Sequence, residues 1–214
     1  MMRILRRWWW RILFGQKDEW DRVAFSFLNK ANSILDIGCG RGRFITQDPS
    51  RIKGIDWNPV TVEECQKLSY NVIAGDIRHL PFDDNSFSGI HCSHVIEHFL
   101  PVDVYQILSE CNRVLEPEGI IVVRSPLLWD GFYSDLTHIR PYNPEAIMHY
   151  LFPSNQRTFK QISNSYEMLH LRWRYKPIRF KNVYLDEFFR GLNKWGFPWF
   201  RKNGYMFVIK KKLQ

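Results

Sequence analysis

Between Asp130 and Tyr142 the chain reads DGFYSDLTHIRPY. A glycine near the start and a proline near the end mark a loop. This one carries two acids, a histidine, an arginine and three aromatics. Histidine is the side chain that titrates near neutral pH, so His138 suits proton acceptance from a hydroxyl or carboxyl group. Asp135 would orient it, and Arg140 would hold an anionic group. In the structural reading these residues pair with one another and pin the loop. Both readings stand until the loop has an address.

A second group lies near the start of the chain. Residues 34–44 read ILDIGCGRGRF, so Asp36, Gly38, Gly40 and Gly42 alternate with other residues after an apolar run. Glycines there permit positive φ and let the backbone approach a ligand. The dinucleotide fingerprint GxGxxG does not fit, because the third glycine comes one residue early. No lysine follows at phosphate-loop spacing. Asp56 and Asp76 close the next two apolar runs. A carboxylate at Asp56 suits a ribose diol, and one at Asp76 suits an exocyclic amine such as adenine's. Trp57 offers a ring face to a base. Together they describe a nucleoside pocket without phosphate-binding groups, hence an adenosine carrying something other than phosphate.

Those acids need strands to position them. Ser33–Ile37, Arg51–Asp56, Asn71–Gly75, Phe87–Cys92 and Gly119–Val123 read as short buried strands. Pro59–Leu68 and Val102–Leu115 read as helices. The alternation predicts an α/β, Rossmann-like, mostly parallel sheet with helices on both faces. Only about nine residues separate Gly42 from Arg51, so the first crossover is compressed. Further along, Asn143–Leu151 and Val183–Lys194 read as helices. Asn143 is expected to cap the first of these, with Pro144 at its first position. Glu167–Trp173 and Tyr205–Lys210 read as strands. Residues 1–31 form an N-terminal basic, aromatic unit of two amphipathic helices, the second over Glu19–Ala31. Residues 32–214 form the main domain, with a ligand-binding core over 33–126 and an acceptor-side, basic part over 127–214.

Composition fits a soluble globular domain: 45% hydrophobic and 24% charged residues. No apolar run is long enough to span a bilayer. Arg6, Arg7 and Arg11 interrupt any leader-like apolar segment, so no signal peptide is expected. Cys39, Cys65, Cys92 and Cys111 form no CxxC pair, so reduced thiols in a cytoplasmic protein are expected. The net charge of +8 is unevenly spread. Residues 1–14 hold four arginines and no acid, and residues 156–214 hold 14 basic and three acidic residues. The basic ends either meet something anionic or form a solvated face. At helical spacing Ile4, Leu5, Trp8, Trp9, Ile12 and Leu13 share one arc. That segment has three readings: peripheral contact with the inner membrane face, contact with an RNA backbone, or packing over its own domain.

On these residues the chain resembles the class I S-adenosylmethionine-dependent methyltransferases of the type 11 kind. The segments that carry the resemblance are ILDIGCGRG, GIDWNP (54–59), AGDIRHLPFDDNSFSGIHCSHVIEHF (74–99) and RVLEPEGIIVV (113–123). It implies a seven-stranded sheet whose last strand is antiparallel, and S-adenosyl-L-methionine as cofactor. It implies that Gly38, Cys39 and Gly40 lie against the methionine part, with Asp36 near its amino end. Asp56 would bind the ribose, Asp76 and Ile77 the adenine, and Ser93 and His94 would line the sulfonium side. HVIEH (94–98) resembles the EVIEH segment of quinone-biosynthesis O-methyltransferases, whose acidic pair can hold a metal. With His94 in place of the first glutamate no metal is assigned here, and Glu97 and His98 are expected to cap and orient the next helix. The pattern Asp135–Tyr142 resembles the D-P-T-H-x-R-x-F/Y segment of bacterial methyltransferases that accompany polysaccharide and glycolipid synthesis. The expected activity is O-methylation of a small-molecule or lipid- or glycan-linked acceptor. An RNA or protein methyltransferase, and a non-catalytic nucleic-acid-binding module, are the rivals.

Overall fold

The computed structural model describes residues 17–154, 159–177, 182–194 and 200–213. The tryptophan-rich stretch 1–14 lies outside the described residues. Helix α1 (Lys17–Leu28) leads into strand β1 (Ile34–Ile37) and strand β2 (Ile52–Asp56). Helix α2 (Pro59–Lys67), strand β3 (Val72–Ala74) and strand β4 (Phe87–Ser93) follow. Next come helix α3 (Pro101–Val114), strand β5 (Leu115–Pro126) and helix α4 (Pro144–Leu151). Strand β6 (Tyr166–Pro177), helix α5 (Val183–Lys194) and strand β7 (Phe200–Lys211) complete the order.

The seven strands form one sheet in the order β3-β2-β1-β4-β5-β7-β6. β7 runs antiparallel to both its neighbours, and the other pairs are parallel. Parallel strands must be covered on both faces, and all four residues of β1 are buried. One face packs Trp20, Ala24 and Leu28 of α1 and Val62 and Cys65 of α2 against Ile34, Ile52, Val122 and Met206. The other packs Val104, Ile107, Leu108 and Cys111 of α3 and Ile147 and Leu151 of α4 against Leu35, Ile90 and Phe207.

The first crossover holds no α-helix. A single 3-10 turn at Ile45–Gln47 bridges it, with Phe44 and Ile45 buried as its plug. Some expected boundaries move. β5 begins at Leu115, and residues 116–119 loop out before pairing resumes at Ile120, with Glu118 at φ +68°. β6 and β7 each run to 12 residues, longer than the sequence pattern indicates, because they pair with each other along their length. Asn143 precedes α4 and Pro144 opens it, but the Asn143 side chain caps nothing. Asn58 does cap α2, accepting from the Val60 N–H at 3.0 Å. All four cysteines are free and buried. No helix among the described residues is long and apolar enough to cross a membrane.

Candidate active site

The carboxyl ends of β1, β4 and β5 meet at one rim, where the chain reverses strand order. Such a switch point is where open α/β sheets take ligands. At the end of β1 the chain turns through three left-handed glycines, Gly38 at φ +64°, Gly40 at +50° and Gly42 at +71°. Side chains on L-residues rarely adopt that region. The turn is tied to β2, because Gly38 and Cys39 both donate to the Ile55 carbonyl. A Cβ on Gly38 would stand 2.5 Å from the Val95 side chain, and one on Gly42 2.8 Å from Tyr70. A Cβ on Gly40 would meet nothing within 4 Å. Two glycines are there for packing, therefore, and the third faces an open approach.

Asp56, at the end of β2, holds this turn. Its Oδ2 accepts the Gly40 N–H at 2.8 Å, and its Oδ1 accepts the Asn58 N–H at 3.0 Å. Each oxygen keeps a second acceptor site, so the carboxylate can still receive a diol. Trp57 beside it is 78% exposed. Asp76 is engaged differently from the expectation. Arg78 donates to both its oxygens and also reaches Asp103, so this pairing holds the Asp76 carboxyl below its usual range. An amine approaching Asp76 meets a carboxylate already paired. Ile77 next to it is buried.

Asp36, Gly38, Cys39, Ser93 and His94 line one cleft of about 350 Å³. The sequence reading missed its other walls: Trp20 and Asp21 of α1, Arg43, Phe44, His91, Arg124 and Arg174. Asp36 and His91 are register partners on β1 and β4, and Nδ1 stands 2.7 Å from Oδ1. Burial raises the Asp36 pKa, and His91 opposes that rise. The His91 ring stacks on Phe44 at 3.7 Å, and its Nε2 has no hydrogen-bond partner. Burial pushes the Cys39 thiol far up, so it is neutral. Asp21 pairs with both Arg124 and Arg43. Arg174 lies across Gly204, where a Cβ would come within 2.9 Å of its Nε, and donates to the side-chain and backbone oxygens of Asn203. One charge inside the apolar run IIVVRSP was the available signal for Arg124. His91 had one too: on a strand it shares a face with Ser93, two residues on.

His94, at φ +58°, directs Nδ1 to Glu97 at 3.1 Å. Desolvation in the cleft lowers its pKa, partly offset by Glu97. Glu97 is wholly buried and also accepts from the Ser125 hydroxyl. It does not cap a helix: Leu100 occupies the cap of α3 and makes no side-chain bond there. The His98 Nδ1 stands 3.1 Å from the Thr137 carbonyl. These two residues therefore reach across to β5 and the rim loop rather than forward to α3.

The rim loop after β5 uses two of its three aromatics for anchoring. Phe132 is fully buried, and the Tyr142 hydroxyl donates to the Phe99 carbonyl at 2.8 Å. Burying one such ring contributes about 1.5–3 kcal/mol. Asp135 does not orient His138; its Oδ1 accepts from the Thr137 N–H and hydroxyl. The Phe132 carbonyl orients His138 instead, 2.7 Å from Nδ1. Nor does Asp130 pin the histidine, since it pairs with Arg201 at 2.7 Å. Arg140 lies over the Tyr142 ring. The loop backbone is clamped to the turn before α3 through Ile139 N–H and the Glu97 carbonyl. Asp135, His138 and Arg140 are not among the residues that line the cleft.

Residues 35–123 match the family model described as a methyltransferase domain. The chain is 35% identical over 110 residues to a phthiotriol/phenolphthiotriol dimycocerosates methyltransferase of Mycobacterium leprae, covering 46% of this chain and 39% of that one. It is 36% identical over 101 residues to a probable S-adenosylmethionine-dependent methyltransferase of Mycolicibacterium smegmatis, covering 44% and 37%. The chain thus spans well under half the length of these two relatives. The fold is that of a SAM-dependent methyltransferase from Archaeoglobus fulgidus, with a TM-score of 0.62 at 22% identity, covering 95% of this chain and 98% of that one.

Proposed function

We propose, on the premise that this chain belongs to the class I S-adenosylmethionine-dependent methyltransferases, that it methylates a hydroxyl oxygen of a lipid- or glycan-linked acceptor. S-adenosyl-L-methionine is the cofactor, and the cleft suits it. Gly40 opens onto free space and the His91 Nε2 is an unsatisfied polar atom, both at the methionine end. Asp36, His91, Gly38, Cys39 and Gly40 would hold that end, Asp56 the ribose, and Ser93 and His94 the sulfonium side. Bound there, the cofactor supplies an electrophilic methyl group open to in-line displacement. The protein's task is then alignment and exclusion of water.

One observation carries the acceptor class. The loop after β5, which carries His138, exposes Leu128, Tyr133 and Leu136 at 61%, 60% and 101%. Apolar side chains at the mouth of a site fit an acyl or polyprenyl carrier. The relative from Mycobacterium leprae is named for a lipid substrate. With Nδ1 on the Phe132 carbonyl, the His138 Nε2 is the nitrogen left to take the acceptor proton. Arg140 would hold a nearby anionic group. Residues 1–14 would add contact with the inner membrane face.

The test is transfer of tritium from methyl-labelled cofactor into fractionated cell extract. Label in the organic lipid phase supports the reading. Label confined to RNA or protein overturns it, and would turn attention to the basic residues of 156–214. Calorimetry with the cofactor is the companion measurement, and absence of binding sinks the enzyme reading altogether.

A further inference from the structure

Arg174 is a cation in the cleft without a carboxylate of its own. It lies on β6 opposite Gly204 of β7, and its side chain crosses that glycine to line the cleft. A Cβ at position 204 would stand 2.9 Å from both its Nε and its Nη2. A side chain there would push the guanidinium aside, so the glycine is what lets it across. Among the described residues no acid forms an ion pair with Arg174. Glu97 is the acid whose charge reaches it, but Glu97 is turned to His94 and to the Ser125 hydroxyl. Asp21, also in the cleft, is shared between Arg124 and Arg43.

The guanidinium is nevertheless held in one place. Its Nε donates to the Asn203 side-chain oxygen and its Nη2 to the Asn203 carbonyl, both at 3.3 Å. Asn203 is wholly buried. Its carbonyl also accepts the Leu127 N–H at 3.0 Å, which ties it to the chain just past β5. Those bonds use two of the five guanidinium N–H groups. The rest sit on Nη1 and Nη2, the edge of the fork that grips an oxyanion through two parallel bonds. Burial and the neighbouring Arg124 both disfavour the charged guanidinium. An anion arriving with a ligand relieves both. The sulfonium of the cofactor does the opposite, since it adds a further cation on the side lined by His94, which already feels the Arg174 charge.

We propose that Arg174 binds an oxyanion of the methyl acceptor, a carboxylate or a phosphate monoester, beside the hydroxyl that is methylated. This rests on the methyl-transfer reading and adds the charge of the acceptor to it. Arg174 is then a specificity-determining residue, and Asn203 is the positioning residue behind it. Arg140 lies over Tyr142, whereas Arg174 lines the cleft itself. A chain with an apolar tail and an anionic head suits both this cation and the exposed Leu128 and Leu136.

The test uses the full chain saturated with S-adenosylhomocysteine, the product form of the cofactor. Calorimetry then follows the binding of dodecanoate and of dodecyl phosphate, with neutral dodecyl glucoside as the chain-matched control, all below their micelle concentrations. The wild type should bind one of the anions at least about tenfold more tightly than the glucoside. Tighter dodecanoate binding supports a carboxylate acceptor, and tighter dodecyl phosphate binding a phosphate one. Arg174→Met keeps the side-chain length, removes the charge and should abolish the preference. Arg201→Met, at a residue that pairs with Asp130 and does not line the cleft, should behave as wild type. No preference in the wild type, or an equal preference in Arg174→Met, overturns the proposal. Thermal unfolding shows whether Arg174→Met is folded. If it is not, Arg174→Lys, which keeps the charge but not the fork, should weaken anion binding severalfold, and unchanged binding overturns the site. S-adenosylhomocysteine affinity is measured on the same samples. A loss of about tenfold or more in the folded variant assigns Arg174 to the cofactor and overturns the proposal. Normal S-adenosylhomocysteine binding without anion binding sinks only this site, whereas no S-adenosylhomocysteine binding by the wild type sinks the methyl-transfer reading and this site with it.

Discussion

Asp36 and His91 face one another from neighbouring strands at 2.7 Å, each almost wholly inside the protein. Neither side chain is tolerable there alone. Burial disfavours the Asp36 carboxylate, and the imidazole gives it a hydrogen bond. His91→Phe keeps a ring against Phe44 but leaves the carboxyl unpaired. It should destabilise the protein by about 1–3 kcal/mol in denaturant unfolding. The double variant Asp36→Leu/His91→Phe should recover most of that loss, since no buried polar group then lacks a partner. If the double variant is less stable than the sum of the singles, the pair is not acting as a satisfied couple.

Gly38→Ala and Gly40→Ala should separate packing from binding. Both residues sit in the left-handed region, at a cost of about 1–2 kcal/mol for an added side chain. Only Gly38→Ala also drives a methyl group into Val95. It should lose clearly more thermal stability than Gly40→Ala. Gly40→Ala points its methyl into open space beside the glycine turn, where the cofactor is proposed to lie, so cofactor affinity should fall by about tenfold, or 1.4 kcal/mol. Calorimetry and thermal unfolding on the two variants check both halves.

Asp48 should give stability a signature in acid. It accepts from Ser50 and Arg51, and these bonds hold its pKa at about 2. Arg51 in turn donates to the carbonyls of Asn29 and Ala31, joining α1 to the start of β2. A depressed carboxylate pKa contributes stability above its ordinary value near 3.8 and loses it as pH falls toward about 2. Asp48→Asn should therefore lower the melting temperature at pH 7. The gap to the wild type should close between about pH 4 and pH 2. A constant gap across that range would mean that the charge plays no part.

Leu136 should matter for the acceptor and little for the fold. It is fully exposed, and surface substitutions usually change stability by less than about 0.5 kcal/mol. Leu136→Ser should leave unfolding and cofactor binding unchanged while lowering methyl incorporation into the lipid phase. Equal incorporation would remove the rim from acceptor binding.

Much of the site was readable before the fold. Gly38, Gly40 and Asp56 had to lie together because a glycine turn and an acid at successive strand ends face one crevice. The acids' own partners were not readable. Asp76 is taken by Arg78 two residues on, and Asp56 by the Gly40 backbone, details that depend on rotamers and turn geometry. Asp135 was assigned to His138 from spacing alone. The loop instead closes Asp135 onto Thr137 and leaves the histidine to a carbonyl.

What the sequence determined by itself was periodicity and punctuation: apolar runs, the glycines between them, and hence a parallel sheet with acids at its rim. Those are local properties, set by side-chain alternation and by φ. Only the tertiary structure decided what crosses between elements. It brought Asp21 of α1 to Arg124 of β5, Arg174 of β6 over Gly204, and His138 of the rim loop toward Glu97 and His98. The chain separations are 103, 30 and about 40 residues. No local pattern encodes such pairings; they follow from sheet order and from burial that leaves each polar group a single set of partners.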